Sequence, residues 1–572
     1  MKGILRLSFL SLALALDFQW SYSGQAYYAV EVDRITTCSD TLNLLSRIGS
    51  DGLGYFSVGD VNWPQFGFKW PQFSSSIRSS AMEPGAYIVA NLSDHLVIAK
   101  AYQLMEDPQQ AFMTGVIPAG SDDSYRPIFG IPVSAPSKGE GILAGLNFAV
   151  KDLFHVKGVK TAAGSRAYYA SYPAQNHTSG IILKTLRAGA SLVGKTKTTA
   201  FALTTIHNGW EVDYHDPFNS RGDGYLSTAG SSSGSGAAVT AYDWLDFAIG
   251  SDTGGSVRLP STNGGLFGYR PSQGIYDLEG VVPCVLSMDT PGFMTRSPAL
   301  FSKLFAAWSE GTELAIDTKS ISIPTKLKIR ADLTSFVQTE AQSQLSGFFD
   351  KVASSFNMTL STIDINELWM ENIVNETIHD YFETVYLDLN SLESWDLIGE
   401  PLTSSYSTLT SGAKPPVDPS VNLTWTNGQN LTIRSRYDEA VSRGKQFREF
   451  YSKYVLPRTP ESCSESLIAF TYYAEPPDNK VDLIPFDYTG GAVTGGFFST
   501  LPASYGGAPE IVVPFGQVPY FSNFTRRIEY RPITATFQAA RGCDAVLFKL
   551  VDEMAEMGLV SEVQTGKLAF AL

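Results

Sequence analysis

Two serine-glycine clusters and one lysine have the residue types and spacing for covalent catalysis. Gly230 to Ala238 reads GSSSGSGAA and Gly250 to Pro260 reads GSDTGGSVRLP. Glycine lacks a Cβ, so such turns let backbone N–H groups converge on a phosphate or an oxyanion. The phosphate reading requires a Gly-Lys-Ser/Thr ending, or a G-x-G-x-x-G turn with an acidic ribose ligand, and the clusters contain neither. Gly230 to Gly234 does satisfy G-x-S-x-G, the nucleophile elbow of an α/β-hydrolase-type esterase. That alternative is poorly supplied: Arg221 to Thr228 is polar and Gly-rich where an apolar strand is needed, and His379 is the only histidine downstream. A serine nucleophile without histidine needs another base, and a lysine serves when burial keeps its amine neutral. Leu146 to Phe154 reads LNFAVKDLF, which sets Lys151 at the end of an apolar strand. The plain alternative for Lys151 is an ion pair with Asp152 or a place on the surface.

The elements that must position these groups follow from the hydrophobic pattern. Leu143 to Val150 reads as a strand, Ser179 to Ala188 has helical spacing, and Ala190 to Gly194 and Leu245 to Ile249 read as buried strands. This alternation predicts an α/β layered domain. Between 311 and 439 the pattern weakens into a variable helical insertion, with one amphipathic helix near Thr339 to Phe356. Order returns at the strand Ile511 to Pro514 and the closing helix Asp544 to Met557. Residues 27–135 read as a small α+β accessory region, joined through a polar, Pro-rich linker near Pro127 to Lys138.

Taken together, Lys151, the GSSSGSG cluster and the GSDTGGSVRLP cluster resemble the amidase signature family of serine hydrolases. Supporting segments are Val193 to Thr196, Gly268 to Gly274 and Ser287 to Gly292, with agreement dense from Gly141 to Ser297 and a weaker echo at Pro509 to Gly516. Tyr242 to Asp246 is reminiscent of fungal members, some of which carry an extra N-terminal domain. The resemblance implies an α/β/α layered fold with a mixed central sheet over 141–572, and an amidase with a Ser-Ser-Lys triad. In that unit Ser256 is the nucleophile and Lys151 the base. A bridging serine, in a cis peptide conformation in this family, relays the proton. Family separation from Ser256 gives Ser232 as the bridge. The local motif, in which the relay serine directly follows the glycine, gives Ser231, which is preferred because a loop is set by its neighbours while a helix tolerates a one-residue insertion. The N–H groups of Thr253, Gly254, Gly255 and Ser256 are the expected oxyanion hole. No metal or organic cofactor is implied, and the partner is a small-molecule amide. Lys197 and Ala200 depart from the family's Asn and Glu, which puts substrate-side contacts in doubt and leaves the triad intact. A different class, a catalytically silent binding protein on the same fold, would be expected to have lost some of Lys151, the paired serines and Ser256.

Several smaller readings bear on the same question. Arg258 is expected to pair internally, Asp252 to order its turn, and Arg221-Gly222-Asp223 to be a loop and no adhesion signal. Trp369, Tyr381, Phe382, Tyr386 and Trp395 would suit an apolar acyl or aromatic substrate, but core packing is their expected role.

The 572 residues carry a net charge of −15, against the basic surface nucleic-acid binding needs, and 44% hydrophobic with 17% charged residues describes a folded, soluble chain. A basic start and the apolar run Leu7 to Leu16, followed by small-residue sites at Ser21 to Ser23, have the layout of a signal peptide over 1–23. That run is too short to span roughly 30 Å of hydrocarbon, so no stable membrane insertion is expected. Seven N-x-Ser/Thr sequons, at Asn91, Asn176, Asn357, Asn375, Asn422, Asn430 and Asn523, fit a secreted glycoprotein. Cys38, Cys284, Cys463 and Cys543 lack zinc-type spacing, and their pairing is open, as are the oligomeric state and the substrate.

Overall fold

The computed structural model describes residues 18–22, 25–31, 53–58, 76–77, 85–92, 95–119, 123–134, 140–203, 211–315, 320–331, 339–472, 479–480 and 496–572. A twelve-stranded mixed sheet carries the site. Its strands in chain order are β1 (Phe112–Pro118), β2 (Tyr125–Ile128), β3 (Asn147–Lys151), β4 (Ser191–Thr196), β5 (Phe247–Asp252), β6 (Phe267–Arg270), β7 (Thr290–Thr295), β8 (Lys326–Arg330), β9 (Thr359–Ile363), β10 (Leu467–Phe470), β11 (Glu510–Phe521) and β12 (Ile528–Gln538). Their spatial order is β9-β8-β10-β12-β11-β6-β7-β5-β3-β4-β1-β2. The helices that matter below are α1 (Gly180–Arg187), α2 (Ser233–Ala241), α3 (Arg258–Gly264), α4 (Thr339–Ser355), α5 (Val385–Ser394) and α6 (Asp544–Glu556).

The layering follows from strand alternation. On β3, Phe148 and Val150 enter one core with Phe247, Ile249, Phe293 and the α6 residues Val546 and Phe548. Ala149 enters a second core with Ala248, Val193 and the α2 residues Ala237, Ala238 and Val239. Successive side chains point to opposite faces, so a strand feeding two cores must be covered on both sides. Those two helix-covered faces make the α/β/α architecture expected from the sequence.

Boundaries differ from the hydrophobic runs in informative ways. The strand expected from Leu143 starts at Asn147, because Gly141 and Gly145 take φ of 107° and 82° and turn the chain over Leu143. The buried strand expected at Leu245 to Ile249 shifts to Phe247–Asp252, which carries its end to the GSDTGGS turn. The 311–439 stretch is mostly helical, with α4 as anticipated, and also contributes β8 and β9 to the sheet.

The described elements of the N-terminal region are strands: Phe18–Tyr22, Gln25–Glu31, Leu53–Val58, Ser76–Ile77, Gly85–Leu92, His95–Met105 and Ile131–Ser134 form a second sheet. Within 27–135, β1 and β2 hydrogen-bond into the large sheet instead, β1 against β4. The stretch expected as a linker contains Ile131–Ser134 paired to His95–Met105, while 135–139 lie outside the described residues. Residues 1–17, the core of the expected leader, lie outside them too, as does Cys38. Cys463 and Cys543 form a disulfide, and Cys284 is a buried free thiol.

Candidate active site

The site lies where parallel strands end. β3 runs parallel to both β4 and β5, pairing Val150 with Ile249 and Lys151 with Thr196. The carboxyl ends of adjacent parallel strands leave a crevice, the usual ligand site of α/β sheets. Lys151 closes β3, and Thr253 to Ser256 turn away from the end of β5.

Lys151 is fully buried. Its Nζ lies 2.7 Å from Ser231 Oγ, 3.0 Å from Ser251 Oγ and 3.4 Å from the Ser251 carbonyl. Burial brings the amine down to about 7, against the opposing pull of Cys284, Asp252 and Asp289. The expected alternative partner is otherwise engaged: Asp152 pairs with Lys195 Nζ at 2.5 Å, both buried, and accepts the Ala162 N–H. This accounts for Lys195 in the Val193 to Thr196 segment.

The Gly230–Ser231 peptide is cis. Ser231 turns its hydroxyl to Lys151, while Ser232 Oγ donates to the Ser251 carbonyl at 3.2 Å and Ser233 opens α2. The backbone ties the two clusters together, since Ser232 N–H donates to the Ser256 carbonyl at 3.2 Å. Close packing explains one of the intervening glycines: a Cβ on Gly234 would stand 2.4 Å from Ala111 O and Lys197 N.

The β5 turn is held by a buried charge network. Asp252 accepts the N–H groups of Gly255, Val257 and Arg258, so it orders the turn as expected. Arg258 pairs internally, with Asp252 at 2.8 Å and Glu510 at 3.3 Å, and Arg270 adds a further 2.8 Å contact to Asp252. Burial alone would raise the Asp252 carboxyl, but the two guanidinium groups overcome it and hold it well below the usual carboxylate range. Gly255 takes φ of 125°, a conformation glycine adopts without strain. Its N–H is committed to Asp252 at 3.0 Å. Thr253 Oγ1 donates to Asp289, which also accepts the Cys284 and Val285 N–H groups, and this gives the Ser287 to Gly292 segment its place.

The other sequence candidates separate cleanly. Trp369 and Phe382 are fully buried and pack on Phe447, so they are core. Tyr381 packs on Trp369 and Trp395 on Trp425. Tyr386, on α5, is the one that reaches the turn Thr253 to Ser256: a Cβ on Gly254 would stand 3.4 Å from its hydroxyl. Arg221 is buried and donates to the carbonyls of Gly264, Gln564, Gly566 and Leu568, a clamp on the C-terminal segment that leaves no exposed adhesion loop. His379 is exposed on a short helix. Ser251, Thr500 and Phe498 were not singled out from the sequence. Ser251 had a signal, because it shares the β5 end with the turn, whereas Phe498 and Thr500 arrive from 246 residues along the chain or nearly so. Among the described residues no three His, Cys, Asp or Glu side chains gather to hold a metal ion, and no helix is long and apolar enough to cross a membrane.

Residues 130–333 match the family model described as Amidase. That segment belongs to the amidase family. The match contains the lysine, both serine clusters and the supporting segments, so the resemblance read from the sequence is borne out there. Amidase 1 of Oryza sativa subsp. japonica is 38% identical over 162 residues, 28% of this chain and 36% of the rice protein. A mitochondrial glutamyl-tRNA(Gln) amidotransferase subunit of Mus musculus is 38% identical over 170 residues, 27% and 32% of the two chains. The chain thus spans about a third of the length of these curated relatives. The amidase-type architecture extends further than the sequence match. A 6-aminohexanoate cyclic dimer hydrolase superposes with a TM-score of 0.59 at 16% identity, over 74% of this chain and 86% of that one. The corresponding glutamyl-tRNA(Gln) amidotransferase subunit of Thermotoga maritima gives 0.55 at 18%, over 80% and 90%. At these identities the likeness establishes the fold.

Proposed function

We propose that the protein hydrolyses a carboxamide C–N bond through a Ser-Ser-Lys triad and an acyl-enzyme. The observation that carries this reading is the buried Lys151 amine, 2.7 Å from the Ser231 hydroxyl and brought down to about 7. Ser256 Oγ attacks the carbonyl carbon, its proton passes to Ser231 Oγ, and the Ser231 proton passes to the neutral Lys151. The C–O bond to Ser256 forms as the carbonyl π electrons move onto oxygen. When the tetrahedral adduct collapses, the relay runs backwards and Ser231 protonates the departing nitrogen, which is otherwise a very poor leaving group. Water, deprotonated through the same relay, then cleaves the acyl-Ser256 ester. With the Gly255 N–H engaged by Asp252, the donors for the oxyanion are the N–H groups of Thr253, Gly254 and Ser256.

A fluorophosphonate probe tests the reading. Folded wild-type protein is expected to label at Ser256, and Lys151→Ala to abolish labelling. A folded protein with no Ser256-dependent adduct refutes the hydrolase.

We further propose that the chain is a secreted glycoprotein. The apolar run near the N-terminus, the Cys463–Cys543 disulfide and the exposed position of Asn176, Asn357, Asn375, Asn422, Asn430 and Asn523 support this. Cleavage after Ser23 would remove the strand Phe18–Tyr22, which pairs with Gln25–Glu31. N-terminal sequencing and a glycosidase mobility shift of the protein from culture medium decide both points.

A further inference from the structure

Phe498 borders the turn Thr253 to Ser256. A Cβ on Gly254 would lie 3.4 Å from its Cζ and 3.4 Å from the Tyr386 hydroxyl. The two rings meet edge to face, with centroids 5.3 Å apart and planes at 83°. Phe498 is 40% exposed, although its backbone neighbours are tightly held. Arg330 donates to the Ser499 carbonyl at 3.1 Å, Arg258 donates to the Thr500 carbonyl at 2.8 Å, and Thr500 Oγ1 donates to the Gly254 carbonyl. An exposed aromatic ring on an anchored backbone, beside the turn proposed above to supply the oxyanion donors, is a preorganised wall and not a loose surface residue.

We propose that Phe498 and Tyr386 form an aromatic subsite, and that the substrate is a carboxamide bearing an aryl ring close to the scissile bond. This deepens the amide-hydrolase reading and rests on it. Two rings at nearly a right angle form a corner in which a third ring stacks on one face and presents its edge to the other. Aromatic pairs favour both of those arrangements beyond the area they bury. A short aliphatic group meets the same walls with dispersion contacts only. The Tyr386 hydroxyl and Phe498 Cζ come equally close to Gly254, each 3.4 Å from where its Cβ would stand, so both rings border the turn. Whether the aryl group enters on the acyl or the amine side is a choice between two sources of one chemistry, and the test separates them.

The experiment reads binding and chemistry separately. Full-length Ser256→Ala protein is titrated calorimetrically with benzamide, acetanilide and butyramide. The tighter of the two aryl amides is expected to bind at least tenfold better than butyramide and to identify the side on which the ring enters. In the Phe498→Ala, Ser256→Ala double variant that preference is expected to fall at least fivefold, with Phe498→Leu in between. Phe498 is partly exposed, so these changes are not expected to unfold the chain, which circular dichroism checks. Equal binding of aryl and aliphatic amides, or an aryl preference that survives Phe498→Ala, overturns the subsite. Ser256 labelling of the wild type is scored independently. Loss of labelling refutes the hydrolase while the binding preference still reports on the subsite.

Discussion

The pH dependence of Ser256 acylation is the most direct consequence of a buried base. Lys151 has no exposed surface and its amine comes down from 10.5 to about 7. A shift of that size corresponds to roughly 5 kcal/mol of bias against the ammonium form. The practical effect is on the supply of base: about half of the molecules hold a neutral amine at pH 7, against about one in three thousand for an unshifted lysine. Raising the pH removes the proton that blocks catalysis, so the acylation rate should rise with pH and level off. The rate at pH 6 should be about a tenth of the plateau value and the rate at pH 8 about nine tenths. The assay is the second-order rate constant for fluorophosphonate labelling between pH 5.5 and 9.5, at constant ionic strength. Ser251→Ala sharpens it. Ser251 Oγ accepts from Lys151 Nζ at 3.0 Å, and an acceptor favours the charged amine, so its removal should move the midpoint down by about one unit. A rate that still climbs tenfold per unit above pH 8.5 would mean a solvated lysine and would refute the buried-base reading. So would an upward shift of the midpoint in Ser251→Ala.

Three further outcomes follow from the same geometry. Ser231→Ala should slow labelling at least about a hundredfold, whereas Ser232→Ala loses one hydrogen bond to the Ser251 carbonyl and should cost about 1 kcal/mol of stability in denaturant titration; the reverse ranking would reassign the relay. Asp252→Asn leaves Arg258 and Arg270 buried without their shared carboxylate, and should lower stability by about 3–5 kcal/mol in the same titration. Replacing Cys463 and Cys543 together by serine opens an 80-residue loop and should cost about 2–5 kcal/mol, read as a drop in the denaturant midpoint without loss of Ser256 labelling.

Much of the site was legible before any fold was known, because its parts are short segments with strong local chemistry. Lys151 ends an apolar run, the glycine turns mark where backbone N–H groups converge, and both clusters are contiguous in the chain. The choice between Ser231 and Ser232 was legible only as a preference for Ser231. Counting along a helix and matching a loop motif differ by one residue, and only the 2.7 Å contact between Ser231 and Lys151 separates them. Strand limits moved by two or more residues, since hydrophobic runs such as Leu143 to Val150 do not reveal a glycine-driven turn over Leu143. The five aromatics near 370–395 looked alike by composition, yet Trp369 and Phe382 are core and Tyr386 faces Gly254.

By itself, the sequence pointed to the chemistry class and marked a lysine ending an apolar strand, the serine-rich turns and an α/β domain, because each depends on residue type and close spacing. The tertiary structure decided which serine meets the lysine, that Asp152 is occupied by Lys195, that the Gly255 N–H serves Asp252, and which aromatic rings border Gly254. Those outcomes depend on contacts between segments up to 246 residues apart, such as Thr500 on Gly254. Burial and register are properties of the assembled sheet, and no local pattern carries them.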